Sequence, residues 1–95
     1  MTFDELKNKA SSLPLSPGVY IMRDSENRVI YVGKAKKLRN RVSQYFLDTV
    51  SHSPKTRLMV SKIHQFDVII ASSEFEALVL ECAQIKRYIP TSGWI

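Results

Sequence analysis

Ninety-five residues, 44% hydrophobic and 24% charged, suit one small folded domain (1–95) with a modest core and argue against disorder. The formal charge of +5 favours a polyanionic partner, nucleic acid before a membrane surface. A single cysteine, Cys82, excludes a disulfide framework and a cysteine-rich zinc site. No apolar run approaches the roughly eighteen residues a membrane span needs, and no signal-peptide pattern opens the chain, so a cytoplasmic domain is expected.

The spacing predicts a short helix over 2–11, where Thr2 and Glu5 have capping-box separation and Phe3, Leu6 and Ala10 recur at helical intervals. Pro14 and Pro17 stop it. Gly18 to Arg23 and Arg28 to Val32 read as two strands around a turn, Asp24-Ser25-Glu26-Asn27, and Gly33 ends the second where the backbone turns sharply or lies close to something. From Lys36 to Leu47 the pattern is helical, with Leu38, Val42, Tyr45 and Phe46 on one face and Lys37, Arg41 and Tyr45 as a stripe at its edge.

Pro54 opens a further helix to about Gln65, with Leu58, Met59 and Ile63 as its expected buried side. Asp67 to Ala71 is a third, branched-residue strand. Ser73 starts a last helix that Pro90 and Gly93 end, its expected buried stripe being Phe75, Leu78, Cys82 and Ile85. Helix, hairpin, two helices, strand, helix is the order of an α+β domain with a small sheet.

Two triplets, Gly18-Val19-Tyr20 and Tyr31-Val32-Gly33, end facing strands, and Lys34 to Arg41 then places five cations in eight residues. Phenols and cations beside glycine-tight backbone suit phosphate chemistry. Arginine offers phosphate a planar fork of donors. Phosphodiester hydrolysis also needs an activated water and charge neutralisation, which a divalent ion provides. Magnesium often takes only one or two protein carboxylates, and Asp67, Glu74, Glu76 and Glu81 are the candidates, Glu76 falling in the first turn of the last helix. The rival reading of Glu76 is local: Ser73-x-x-Glu76 is also a capping box. His52 and His64 lack zinc spacing and read as surface residues.

Pro17-Gly18-Val19-Tyr20, Ile30-Tyr31-Val32-Gly33-Lys34-Ala35-Lys36, Leu38, Arg41, Tyr45-Phe46 and Glu74-Phe75-Glu76-Ala77-Leu78 together resemble the GIY-YIG endonuclease domain, in its excision-repair form, over about residues 13–90. The resemblance implies a small three-stranded antiparallel sheet flanked by helices and a divalent-metal-dependent DNA endonuclease, with Mg2+ or Mn2+ and no small-molecule cofactor. It implies Tyr20 and Tyr31 as the active-site phenols, Lys34 and Arg41 as phosphate-contacting cations, Tyr45 as a supporting tyrosine, and Glu76 as the metal carboxylate. Lys34, Lys36, Lys37, Arg39 and Arg41 form the expected DNA-binding run, and other excision-repair subunits are the expected partners. The chain departs from the family pattern at Ala83, where an asparagine is usual, and over Thr91-Ser92-Gly93-Trp94-Ile95. These departures motivate an alternative, a DNA-binding module with impaired catalysis.

Overall fold

A computed structural model describes residues 1–47 and 52–88. The expected ends of the last helix at Pro90 and Gly93, and the departures after Pro90, lie outside the described residues. The elements are α1 (Phe3–Ser11), β1 (Gly18–Arg23), β2 (Val29–Ala35), α2 (Leu38–Leu47), α3 (Pro54–Lys62), β3 (Gln65–Ile70) and α4 (Glu74–Tyr88). The strands form an antiparallel sheet in the order β2-β1-β3. This is the α+β arrangement expected.

Local chemistry explains the boundaries. Thr2 and Glu5 close a full capping box on α1. Ser53 caps α3 and Pro54 occupies its first turn. In the β1–β2 turn the Asp24 carboxylate accepts from the amides of Glu26 and Arg28, and Asn27 adopts φ 64°, the left-handed conformation asparagine tolerates. Two boundaries differ from expectation. β2 runs on through Gly33 to Ala35, because Gly33 pairs with Tyr20 and Ala35 with Gly18. α3 ends at Lys62, and β3 begins at Gln65, because Gln65 and Phe66 pair with Arg23 and Met22.

The sheet has a packed layer on each face. On one, Tyr20, Met22 and Phe66 join Leu6 and Ala10 of α1, Leu38, Val42, Tyr45 and Phe46 of α2, and Val60 of α3. On the other, Val19, Ile21 and Val32 meet Leu80, Ile85 and Tyr88 of α4. The alternation of strand side chains makes this division. Two helix faces match expectation only in part: Ile63 is buried, Met59 packs against the core and Ile85 packs against the sheet, whereas the other expected positions differ. In α3 the buried residue is Val60, while Leu58 is 58% exposed. In α4 it is Ala77, while Phe75 (74% exposed), Leu78 and Cys82 point to solvent. Ala77, Leu80, Glu81, Ile85 and Tyr88 follow helical spacing on the sheet side, and a small residue at 77 lets the helix approach closely. Among the described residues no helix is long and apolar enough to cross a membrane.

Candidate active site

Strand register brings the motif phenols together. Tyr20 pairs with Gly33 and Met22 with Tyr31, so Tyr20 and Tyr31 are diagonal neighbours on the same sheet face. Their rings stack 6.0 Å apart at 28°. Gly33 makes this possible: a Cβ there would lie 2.4 Å from both Cζ and Oη of Tyr20. The φ of Gly33 is not positive, so its role is room for a ring rather than a turn. Gly18 acts alike, since its Cβ would lie 2.5 Å from the Ile69 carbonyl oxygen and 2.6 Å from Leu38.

α2 lays two further groups over the pair. Arg41 and Tyr45 are four residues apart and so share one helix face. Tyr45 Oη lies 2.8 Å from Tyr20 Oη, and Arg41 Nε donates to Tyr20 Oη at 3.4 Å. The Arg41 guanidinium is 5.9 Å from the centre of the Tyr45 ring. Three phenols and one guanidinium thus share a hydrogen-bonded cluster whose floor, Tyr20, is 1% exposed. Tyr31 is the half-buried member; with Arg41 and Tyr45 it lines a groove of about 530 Å³ that continues to α3.

Electrostatics assign protonation states. Burial, then the neighbouring Tyr45, push the Tyr20 phenol well above the ordinary range, against a smaller downward pull from the Arg41 hydrogen bond. Burial and Tyr45 also raise Tyr31; the Arg41 charge and a hydrogen bond with Tyr20 oppose this, and the Glu81 charge adds to it. Arg41 is raised, chiefly by its hydrogen bond to Tyr20. Both phenols are therefore protonated at neutral pH and the guanidinium is charged. The basic segment does not lower either phenol below its ordinary value.

The other cations divide. Lys34 alternates away from Tyr31 onto the α4 side of β2, where it shares a recess with Lys36, Glu74 and Phe75. Lys36 Nζ is 3.9 Å from Glu74, an exposed pair of little energetic weight. Lys37 precedes α2 and its carbonyl accepts the Arg41 amide. Arg39 is directed elsewhere: its Nε donates to the Leu13 carbonyl at 2.7 Å and its amide to Pro14, fastening α2 to the segment before β1.

The carboxylates take different positions on α4. Glu76 Oε1 accepts from the Ser72 amide at 2.8 Å while Ser73 Oγ accepts from the Glu76 amide, so Glu76 closes the start of α4. Glu81, half-buried on the sheet side of that helix, is the carboxylate whose charge acts on Tyr31. Its signal in the sequence was its place one turn beyond Ala77, on the face that packs. His52, expected at the surface, instead sets its ring 6.1 Å from that of Tyr45, half-buried at the groove.

Residues 16–92 match the UvrC-like GIY-YIG domain. The chain belongs to this family. It is 59% identical over 78 residues to the UvrABC system protein C of Clostridium tetani and 50% identical over 86 residues to that of Caldanaerobacter subterraneus subsp. tengcongensis. These matches cover 82% and 90% of the chain but only 12% and 14% of the two relatives. Among solved structures, the GIY-YIG N-terminal endonuclease domain of UvrC from Thermotoga maritima, bound to its catalytic divalent cation magnesium, superposes with TM-score 0.80. It is 32% identical, and the match covers 93% of each chain. In this GIY-YIG domain the two triplets read Gly18-Val19-Tyr20 and Tyr31-Val32-Gly33.

Proposed function

We propose that the chain is a divalent-metal-dependent endonuclease domain that hydrolyses DNA phosphodiester bonds, the incision domain of an excision-repair protein. One observation carries the reading: a charged Arg41 and the accessible Tyr31 phenol line one groove, braced from below by the buried Tyr20–Tyr45 hydrogen bond. The Thermotoga maritima domain, with its magnesium, supports it.

The donor set fits such a cation. Among the described residues no three His, Cys, Asp or Glu side chains cluster, so these residues would offer one or two carboxylates at most. Magnesium accepts that, keeping waters and substrate oxygens as its remaining ligands. Glu81 is the carboxylate whose charge acts on Tyr31, while Glu76 is engaged at the start of α4, and we assign Glu81, rather than Glu76, to the metal. When bound, the cation neutralises phosphoryl charge and acidifies a water.

The remaining roles follow from position. Arg41 takes the non-bridging phosphoryl oxygens with its Nη1 and Nη2 donors, its Nε being held by Tyr20. Tyr31, protonated and accessible, orients the attacking water or the phosphate through its hydroxyl. Tyr20 and Tyr45 are positioning residues, since both are buried. Lys34 and Lys36 hold flanking phosphates on the α4 side, Lys37 holds one at the start of α2, and Arg39 secures α2. Other subunits of the repair system would bring the lesion.

The test is nicking of a labelled lesion-bearing duplex by the chain with magnesium, with manganese and with chelator. Nicks that need the metal support the reading. Tight binding without a nick under either metal overturns it in favour of the non-cutting DNA-binding module.

A further inference from the structure

The groove beside the phenols extends past them onto α3, where nothing in the chemistry above uses it. Its α3 wall presents Lys55 and Lys62 seven residues apart, with Leu58 and Met59 between them. That spacing is two helical turns, so the four side chains lie along one stripe. Arg41 and Gln44 form the opposite wall from α2. Among the described residues the lining contains three lysine or arginine side chains and no carboxylate. α3 itself, Pro54-Lys55-Thr56-Arg57-Leu58-Met59-Val60-Ser61-Lys62, has no acidic residue anywhere, and its N-terminal turn adds the positive end of the helix dipole. An acidic or mixed-charge surface is thus not what the groove excludes; a cationic one is. Leu58 remains 58% exposed between two lysines, an apolar step on an otherwise charged track.

We propose that this groove carries the backbone of one DNA strand leading away from the scissile phosphate, with Lys55 and Lys62 each on a phosphate and Leu58 and Met59 against the sugars between. At about 1.5 Å per residue the two lysines stand roughly 10 Å apart along the helix. The rise of about 3.4 Å per nucleotide is along the duplex axis, and phosphates followed along the strand itself lie about twice as far apart, so the two lysines span about one to two nucleotides. The strand would then enter the phenol cluster at Arg41 and pass to Lys34 and Lys36 on the α4 side. This rests on the nuclease reading and adds to it a direction of approach and a second set of contacts.

Salt dependence measures the contacts directly. Binding of a fluorescent duplex oligonucleotide to the chain, followed by anisotropy in chelator so that no cutting occurs, is measured from 50 to 300 mM salt, about the range in which phosphate contacts dominate. The Lys55→Ala/Lys62→Ala double variant should lower the slope of log affinity against log salt by about 1.8, or 0.9 for each phosphate lost. A Lys7→Ala/Lys86→Ala variant removes the same charge from exposed positions outside the groove and should leave the slope unchanged. An unaltered slope in the first variant, or an equal fall in both, overturns the proposal. In the first case the α3 wall is left open to a protein partner. Absence of binding by the unsubstituted chain would instead remove the nuclease reading itself. The substituted side chains are exposed, and thermal unfolding of both variants verifies that each is folded.

Discussion

Replacing Gly33 by alanine places one carbon where the Tyr20 ring now lies. The added Cβ would be 2.4 Å from Tyr20 Cζ and Oη, whereas carbon contacts settle near 3.5–4.0 Å, so something must move by more than about 1 Å. Tyr20 has little freedom: it is 1% exposed, its ring stacks on Tyr31, and its hydroxyl is bound to Tyr45 and Arg41. Overpacking of a tight core costs about 1–3 kcal/mol. Displacing the Tyr20–Tyr45 hydrogen bond adds about 1 kcal/mol. The sum, about 2–4 kcal/mol, corresponds to a fall in Tm of roughly 8–32 °C for a domain of this size. Calorimetry or urea unfolding reads it. Gly18→Ala is the matched comparison, because its Cβ meets Leu38 and the Ile69 carbonyl and should destabilise while leaving the phenols in place. Folded Gly33→Ala protein should therefore have lost activity that folded Gly18→Ala protein keeps. A Gly33→Ala variant within a few degrees of the parent Tm would refute the argument that this glycine exists to seat Tyr20.

Other expectations follow from the same cluster. Tyr45→Phe removes the hydroxyl 2.8 Å from Tyr20 and should cost about 1 kcal/mol in urea unfolding, with nicking reduced more than DNA binding. Arg41→Ala should lower the nicking rate on the order of a hundredfold, and Arg41→Lys should recover little, since an ammonium cannot hold Tyr20 and a phosphate together. In a pH titration followed by phenolate absorbance, Tyr20 and Tyr31 should ionise above the ordinary phenol value of about 10, because both are raised in the folded state. The sign for stability follows: a raised folded pKa contributes fully below the unfolded value of about 10 and is lost as pH climbs above it. Unfolding free energy should thus be insensitive to these phenols through neutral pH and fall above about pH 10; a fall beginning near pH 8 would contradict it.

What the sequence disclosed, and what it hid, has a physical pattern. Short-range chemistry was legible: the Thr2/Glu5 box, the Pro54 start and the turn at Asp24 each depend on groups within four residues, and each formed as spaced. The phenol cluster was legible as composition, because two strand tyrosines and a helix with Arg41 and Tyr45 can meet in few ways. α4 was misleading because it is apolar on both sides. Phe75, Leu78 and Cys82 form as good a stripe as Ala77, Leu80 and Ile85, and hydrophobicity does not say which one faces a sheet. The same helix separates the two carboxylates: Glu81 lies on the packed side and Glu76 at the helix start. Arg39 was counted with the phosphate-binding run because charge density is visible in a sequence and the Leu13 carbonyl that it meets is not.

The assignment of Glu81 is the point on which the chemistry turns, and manganese binding tests it most directly. Mn2+ titrated into the chain should broaden the ring resonances of Tyr31 through its unpaired electrons, in the parent and in Glu76→Gln alike, and should fail to do so in Glu81→Gln. Broadening that survives in Glu81→Gln and disappears in Glu76→Gln would contradict the account and return the metal to the start of α4.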